Sequence, residues 1–292
     1  MVDYPGYFAW YELITTDVEA AGAFYGSVVG WGTQDASTPA LPYRLFTAGK
    51  VRVCGLMNLP EEGRKMGAWP RWMGYVGVND VAVTAARIRR LGGAVHVPPT
   101  NTNIGLISVV ADSQTATFAL VNGLKVGRQQ PSDSAKPGHV GWHELLAADG
   151  KKAFTFYHEL FGWQEVVDAG TGPADNYQFF SAGGQAVGGM FTKHAADPVP
   201  FWLLYFNVED IDAATERVKS GGGQVFQGPL ELPGGIRIAR CIDPQGAAFA
   251  LQAREGHDPR IGWSTEWSGF SSRGRLLTPK PRDRAPTPDS EG

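Results

Sequence analysis

The sequence has few cysteines, few histidines and no long apolar run. Its 292 residues include 2 cysteines and 6 histidines. Cys54 and Cys241 form no CxxC motif, so we expect both to be structural and neither to belong to a disulfide framework. No apolar run approaches the roughly 20 residues that cross a bilayer, and residues 1–5 lack the basic start of a signal peptide. We therefore expect a cytoplasmic protein, and export by a route without a signal peptide stays open.

Charge is also scarce. Charged residues make up 19% of the chain and the net charge is −3. Such a balance favours neither nucleic acid nor an anionic membrane as a partner. Hydrophobic residues make up 43%, which is typical of a globular protein with a substantial core.

What the sequence does contain is an internal repeat. The motifs Trp10-x-Glu12-Leu13, Phe24-Tyr25 and Gly30-Trp31 return 132 positions later as Trp142-x-Glu144-Leu145, Phe156-Tyr157 and Gly162-Trp163. A period of this length indicates a duplicated module and fixes the architecture before any residue is interpreted. We expect a first module at 1–128, a linker at 129–138 and a second module at 139–260. A C-terminal extension follows at 261–292, and we expect it to be disordered from about residue 271 because it is rich in proline and charge.

Each module contains the same pattern twice. A strand leads to a helix that begins after Asp17 and ends near Val28, and further strands follow. A second helix begins at Asp80, with Val83, Ala86, Ile88 and Leu91 expected on its inner face. The second module repeats both helices near residues 149–160 and 210–220. The sequence therefore predicts four βαβββ units.

These features together resemble the vicinal oxygen chelate superfamily, which includes glyoxalases, bleomycin-resistance proteins and extradiol dioxygenases. The resemblance rests on the paired units, on Phe-Tyr-(x)4-Gly-Trp after each first strand, and on the turn Asp243-Pro244-Gln245-Gly246 before the last strand. It covers residues 6–254 and is strongest for a tandem glyoxalase-like group that includes a mycobacterial culture-filtrate antigen. It implies an α+β fold with two cup-shaped, eight-stranded mixed sheets and helices outside. Whether each copy closes its own cup, or units pair between copies, stays open.

The resemblance also locates the positions where enzymes of this superfamily hold a divalent metal. Those positions carry side chains that cannot coordinate one: Trp10, Met73, Ala119, Trp142, Leu203 and Ala250. We therefore expect no metal site and no cofactor, unless other carboxylates have taken over coordination.

Side chains alternate between the two faces of a sheet. A residue two positions before or after one of these metal positions therefore lies on the same face of the sheet. Glu12 and Glu144 should therefore point into the cups. The predicted ligand-binding residues are Trp10, Glu12, Met73, Tyr75, Thr117, Trp142, Glu144, Leu203, Tyr205 and Gln252. Each buried carboxylate could serve a ligand or act as a base, or it could accept hydrogen bonds from its own tyrosine and hold the strands together.

The leading hypothesis is a metal-independent protein that binds a planar or aromatic small molecule, with a protective or sequestering role. The alternative is a divergent glyoxalase-type isomerase or lyase that uses Glu12 and Glu144 as catalytic bases or as relocated metal ligands. A third interpretation is an interaction protein whose cups are filled by their own side chains. We expect a monomer or a homodimer with a small-molecule ligand.

Overall fold

The computed structural model describes residues 6–39, 41–65, 67–127, 133–166, 177–194, 199–232 and 235–254. The predicted C-terminal extension at 261–292 and part of the linker lie outside these residues, so the expected disorder of the extension stays a prediction.

The first copy contains eight strands and three helices. They are β1 (Phe8–Thr15), α1 (Val18–Val29), β2 (Gly32–Asp35), β3 (Arg44–Ala48), β4 (Val51–Asn58), α2 (Glu61–Lys65), β5 (Arg71–Gly77), α3 (Val81–Arg90), β6 (Ala94–Asn101), β7 (Leu106–Ala111) and β8 (Thr117–Asn122). The second copy has β9 (Val140–Ala147), α4 (Gly150–Phe161), β10 (Gln164–Glu165), β11 (Tyr177–Ala182), β12 (Gln185–Thr192), β13 (Phe201–Asn207), α5 (Ile211–Ser220), β14 (Gln224–Leu232), β15 (Ile236–Ile242) and β16 (Ala248–Arg254).

Each copy forms its own eight-stranded mixed sheet. The strand order is β2-β3-β4-β1-β5-β8-β7-β6 in the first copy and β10-β11-β12-β9-β13-β16-β15-β14 in the second. The first strands of the two units, β1 and β5, pair antiparallel at the centre, and β1 pairs with β4 in parallel. This topology confirms the predicted tandem α+β fold, and within the described chain each copy builds its sheet from its own strands.

Four aspartates begin the four longer helices. Asp17, Asp80, Asp149 and Asp210 each accept a hydrogen bond from the backbone N–H three residues later, at 2.9 to 3.1 Å. This N-cap satisfies one of the amides that a helix leaves without an internal partner. The helix starts were therefore readable from the sequence.

The inner face of α3 differs from the prediction. Val83 is 60% exposed and Ala86 is also exposed, whereas Val81, Ala85 and Ile88 are buried. The spacing of four and three residues, counted from Val81, follows the helical period, and it places Val83, two residues after Val81, on the opposite side of the helix. The error came from starting the period two residues too late.

The two copies share one hydrophobic core on the helix-bearing faces of their sheets. Tyr25 donates to Oδ2 of Asp243 in the other copy at 3.1 Å, and it accepts from Nε1 of Trp72 at 2.8 Å. Tyr157 makes the equivalent pair of contacts with Asp112 and Trp202. Each tyrosine of the Phe-Tyr motif therefore fastens its own module to the terminal turn of the other.

The tryptophans of the Gly-Trp motif reach across in the same way. Nε1 of Trp31 donates to the carbonyl of Gly138 at 2.8 Å, and Nε1 of Trp163 donates to the carbonyl of Gly6 at 2.7 Å. Both rings are buried. Both tryptophans therefore pack at the junction between the copies.

Tyr11 and His143 occupy equivalent positions of the repeat and meet each other at the centre of the junction. The Tyr11 hydroxyl lies 2.7 Å from Nε2 of His143, whose Nδ1 lies 2.7 Å from the carbonyl of Val187. Phe8 stacks on the imidazole with a centroid distance of 4.1 Å. Burial lowers the pKa of His143 to about 4, so the ring is neutral at physiological pH. Its Nε2 therefore accepts a hydrogen bond from the Tyr11 hydroxyl.

No helix in the described part of the chain is long and apolar enough to cross a membrane. The longest helices, α1 and α4, have 12 residues each.

Removing one junction hydroxyl should destabilise the whole chain. We expect Tyr25→Phe to lower the free energy of unfolding by about 1–3 kcal/mol, because Asp243 and Trp72 lose a buried partner. Tyr157→Phe should behave alike, and the double variant should lose roughly the sum. Urea unfolding followed by tryptophan fluorescence measures this, with the exposed Ser220→Ala as control. Wild-type stability in both tyrosine variants would show that the junction does not depend on these bonds.

Candidate functional site

The sheet faces opposite the shared core carry two separate apolar clusters, which we call cup 1 and cup 2. Cup 1 is lined in the first copy by Trp10, Ile14, Tyr43, Leu45, Leu59, Met73, Tyr75, Ile104, Ile107, Ala119, Val121 and Val126. Cup 2 is lined in the second copy by Trp142, Leu146, Tyr177, Phe191, Leu203, Tyr205, Leu232, Ile236, Ile238 and Ala250. Each cup therefore has an aromatic and aliphatic floor.

A single carboxylate is buried in cup 1. Glu12 is 3% exposed, and the hydroxyls of Tyr43 and Tyr75 donate to its Oε1 and Oε2, respectively. Nε1 of Trp10 donates to the Tyr43 hydroxyl at 3.3 Å. Both carboxylate oxygens in cup 1 are therefore occupied by groups of the protein itself.

Burial dominates the titration of this carboxylate. The pKa of Glu12 is raised because burial penalises its charged form, and the hydrogen bonds from Tyr43 and Tyr75 only partly oppose that effect. Burial and the charge of Glu12 likewise raise the pKa of both tyrosines, so they stay protonated and act as donors.

Cup 2 holds its carboxylate differently. Glu144 is fully buried, and its Oε2 accepts from the Tyr205 hydroxyl at 2.8 Å and from Nη2 of Arg240 at 2.6 Å. Arg240 also donates from Nε to the Tyr205 hydroxyl at 3.1 Å and from Nη1 to Gln227 at 2.9 Å. The second cup therefore contains a buried ion pair, which the first cup lacks.

Arg240 stays charged despite its burial. Burial opposes the charge, but the neighbouring Glu144 and Tyr205 favour it more strongly and raise the pKa of the guanidinium. Val109 occupies the equivalent position in the first copy, since Val109 pairs with Ala119 and Arg240 pairs with Ala250 in matching registers. This difference gives cup 2 a buried positive charge on β15 where cup 1 has an apolar side chain.

Two acceptors on the cup 2 face of the second sheet have no partner among the described residues. Oε1 of Glu144 and Oε1 of Gln252 are buried and accept no hydrogen bond. The amide of Gln252 is oriented by a 2.6 Å bond from its Nε2 to Oδ1 of Asn207, whose own Nδ2 donates to the carbonyl of Ser134 at 2.8 Å. In the first copy the corresponding positions are the satisfied Glu12 and the apolar Val121. Unpaired acceptors at these positions therefore occur in cup 2 and not in cup 1.

Glycine makes room for the first tyrosine in each cup. Gly55 pairs with Glu12, and Gly189 pairs with Glu144. A Cβ on Gly55 would lie 2.0 Å from the Tyr43 hydroxyl oxygen, and one on Gly189 would lie 2.1 Å from Cε1 of Tyr177. No other residue fits beneath these rings, so the close approach of tyrosine to the strand is built into both copies.

The structure brings together most of the predicted site residues within each copy. Trp10, Glu12, Met73 and Tyr75 lie in cup 1, and Trp142, Glu144, Leu203 and Tyr205 lie in cup 2. Thr117 is half-buried at the first position of β8. Gln252 is buried on β16, opposite Ile238.

Three polar residues of the cups were missed by the sequence reasoning. Tyr43 and Tyr177 had a usable signal, because Tyr-x-x-Phe-x-Ala-Gly occurs in both copies. Arg240 occurs in one copy only, so the repeat could not reveal it. A charge in the middle of the apolar strand β15 was nevertheless a signal, since a buried arginine requires a partner.

The residues at the superfamily's metal positions do not fit a metal. Trp10, Met73, Trp142 and Leu203 are buried side chains without a donor atom suited to a divalent cation. Within the part of the chain that the structure describes, no three His, Cys, Asp or Glu side chains lie close enough to hold a metal ion. We therefore derive no chemistry through a bound metal.

Comparison with known proteins places this geometry among its relatives. Residues 136–251 match the Glyoxalase/Bleomycin resistance protein/Dioxygenase superfamily. The chain is 30% identical to CFP32, a proposed glyoxylase of Mycobacterium bovis, over 247 residues that cover 83% of this chain and 92% of the relative. It is also 30% identical to the anthracycline biosynthesis protein DauV of a Streptomyces species over 271 residues, covering 87% and 95%.

Solved structures share the fold at lower identity. The Mn(II)-bound glyoxalase from Novosphingobium aromaticivorans aligns with a TM-score of 0.58 and 15% identity, covering 94% of this chain and 87% of its own. The 2,3-dioxygenase LapB from a Pseudomonas species aligns with a TM-score of 0.58 and 13% identity, covering 85% and 92%. Likeness at this level of identity concerns the fold alone.

The raised pKa of Glu12 predicts a pH-dependent stability. Because the folded state favours the protonated carboxyl, the stabilising contribution is complete below the ordinary glutamate pKa and is lost as pH rises through the raised value. We expect the stability of the wild type relative to Glu12→Gln to fall as the pH rises above the ordinary glutamate pKa of about 4.3 and through the raised pKa of Glu12. Urea unfolding at several pH values measures it, with the exposed Glu165→Gln as control. A difference that does not change with pH would contradict the raised pKa.

The buried ion pair of cup 2 predicts a larger effect. Arg240→Val, which installs the residue of the first copy, should cost about 3–5 kcal/mol because it leaves Glu144 charged and uncompensated. Adding Glu144→Gln should recover part of this loss. Arg237→Ala removes a pair with the exposed Asp212 and should cost at most about 1 kcal/mol. If chemical denaturation finds Arg240→Val no worse than Arg237→Ala, the ion pair is not structurally important.

Proposed function

This chain belongs to the glyoxalase/bleomycin resistance protein/dioxygenase superfamily, and we propose that it binds a planar, hydroxylated aromatic molecule in cup 2 without a metal. The observation that carries this proposal is the unpartnered Oε1 of Glu144. A buried carboxylate oxygen without a donor is costly, and a hydroxyl or N–H group of a ligand would remove that cost.

The surroundings of Glu144 suit a flat ring. Trp142 and Tyr177 lie in cup 2, and Phe179 packs against both, with ring centroids 6.1 Å and 4.9 Å away. Aromatic side chains bind flat apolar molecules through large contact areas and favourable ring geometries. The polar groups are few and fixed, which gives orientation: Arg240 holds Glu144 through its other oxygen, and Asn207 holds Gln252.

The relatives support an aromatic compound. DauV is named for anthracycline biosynthesis, and anthracyclines are planar hydroxylated aromatic molecules. We therefore propose a ligand of this chemical class for the chain and name no particular compound.

Cup 1 is not proposed as a second copy of this site. Both oxygens of Glu12 already accept from Tyr43 and Tyr75, so a ligand there would have to displace a protein hydroxyl. We assign Glu12 to holding β1, β3 and β5 together. The duplication thus leaves one ligand site and one structural carboxylate.

Catalysis by Glu144 as a base is the alternative. It would require the same contact between Oε1 and a proton of the bound molecule, followed by chemical change of that molecule. The two functions are separated by recovering the bound compound unchanged or altered.

The test uses a matched pair of ring systems. We expect the protein to bind 1,2-dihydroxyanthraquinone at least about tenfold more tightly than unsubstituted anthraquinone, because only the former can donate to Glu144. Glu144→Gln should remove most of that preference, and Gln252→Leu should weaken it, whereas Glu12→Gln should retain it. Quenching of tryptophan fluorescence measures binding, and circular dichroism verifies folding.

Two further measurements complete the design. A chelator should leave the affinity unchanged, and chromatography should recover the ligand unaltered. Equal affinity for both ring compounds, or a loss of preference in Glu12→Gln as large as in Glu144→Gln, would refute cup 2 as the site. Conversion of the ligand would favour the enzymatic alternative.

A further inference from the structure

An arginine without an acceptor lies at one end of cup 1. Arg71 is the first residue of β5 and pairs with Ile14. It shares a sheet face with Met73 and Tyr75, and its charge acts on Tyr75. Its Nε is buried and has no hydrogen-bond partner. Among the described residues, no hydrogen bond or ion pair is formed by this guanidinium.

A buried guanidinium normally has its donors satisfied. Arginine cannot give up its proton in a protein, and it presents five N–H groups in a rigid fork that matches a carboxylate. Arg240 in cup 2 follows this rule through Glu144, Tyr205 and Gln227. Arg71 is half-buried, and its buried Nε has no acceptor among the described residues, although burial opposes the charge of the guanidinium and lowers its pKa. The missing acceptor at Arg71 therefore calls for a group from outside the chain.

An exposed aromatic ring lies beside this arginine. Trp69 is 52% exposed, and Cζ of Arg71 lies 6.0 Å from the centroid of its ring. The exposed face of this ring offers a flat apolar surface on which another planar group can stack. The equivalent positions of the second copy are Val199 and Phe201, because Trp72 corresponds to Trp202. The pairing of an arginine with a tryptophan thus belongs to the first copy alone.

We propose that Arg71 and Trp69 form a binding site for a small organic carboxylate with a flat apolar body. The carboxylate would accept two hydrogen bonds from the fork of Arg71, and the body would stack on Trp69. Leu59 belongs to the cup 1 cluster, and Ala68, next to Trp69 in the chain, packs against that cluster. This site is separate from Glu144 and does not depend on the function proposed for cup 2.

The test compares a carboxylate with its neutral amide. We expect wild-type protein to bind 2-naphthoate saturably, with a dissociation constant of about 1 mM or below, and at least about tenfold more tightly than 2-naphthamide. Arg71→Gln should abolish this preference, and Arg71→Lys should retain only part of it because lysine lacks the planar fork. Trp69→Val, which installs the residue of the second copy, should weaken binding of both compounds. Isothermal titration calorimetry measures all of these affinities.

A control variant makes the outcome decisive. Arg90→Gln removes an exposed positive charge at the end of α3 and should leave naphthoate binding unchanged. If Arg71→Gln does not fold, the affinities measured for Arg71→Lys and Trp69→Val decide the test. The proposal is overturned if wild-type protein does not bind naphthoate saturably, does not prefer it to the amide, or keeps its preference in the folded Arg71 variants.

Discussion

A carboxylate buried among aromatic rings is stable only when its neighbours supply hydrogen bonds or an opposite charge, and both copies of this chain obey that constraint. Glu12 is held by Tyr43 and Tyr75, and Glu144 is held by Tyr205 and Arg240. Tyr43 and Tyr177 can lie so close to the adjacent strand only because that strand carries Gly55 in the first copy and Gly189 in the second. Burying a carboxylate away from water is costly. In each cup, the strand pairing, the positions of the rings and the small residues together reduce that cost.

The two cups differ in how many oxygens of the buried carboxylate accept a hydrogen bond. Two neutral hydroxyls satisfy both oxygens of Glu12, and the pKa of this carboxyl is raised because the effect of burial outweighs that of the hydrogen bonds. A cation satisfies one oxygen of Glu144 and leaves the other without a donor. Replacement of Val109 by its counterpart Arg240 is the main change between them. The carboxylate beside the charge on β15 therefore keeps one oxygen without a donor among the described residues, whereas the carboxylate of the first copy does not.

Much of the fold could be predicted from the sequence, because its signals are local and occur twice. Helix-capping aspartates, strand alternation and the repeat itself located the modules and put Glu12 and Glu144 on the cup faces. The contacts that complete the sites are not local. Arg240 reaches Glu144 from 96 positions away and has no counterpart in the other copy. The sequence likewise could not predict that Nε of Arg71 lacks a hydrogen-bond acceptor, because the neighbours of a buried atom are set by the folded structure.

The junction between the copies explains why the cups were free to diverge. Tyr25 and Tyr157 each bind the terminal turn of the other copy, and Tyr11 meets His143 at the centre. These contacts lie on the sheet faces opposite the cups, and most of them are made reciprocally. Changing a junction residue therefore disturbs both modules, whereas changing a cup residue disturbs one. The fold accordingly preserves symmetry where the copies meet and permits asymmetry where each faces its own interior, which is where Arg71 and Arg240 appear.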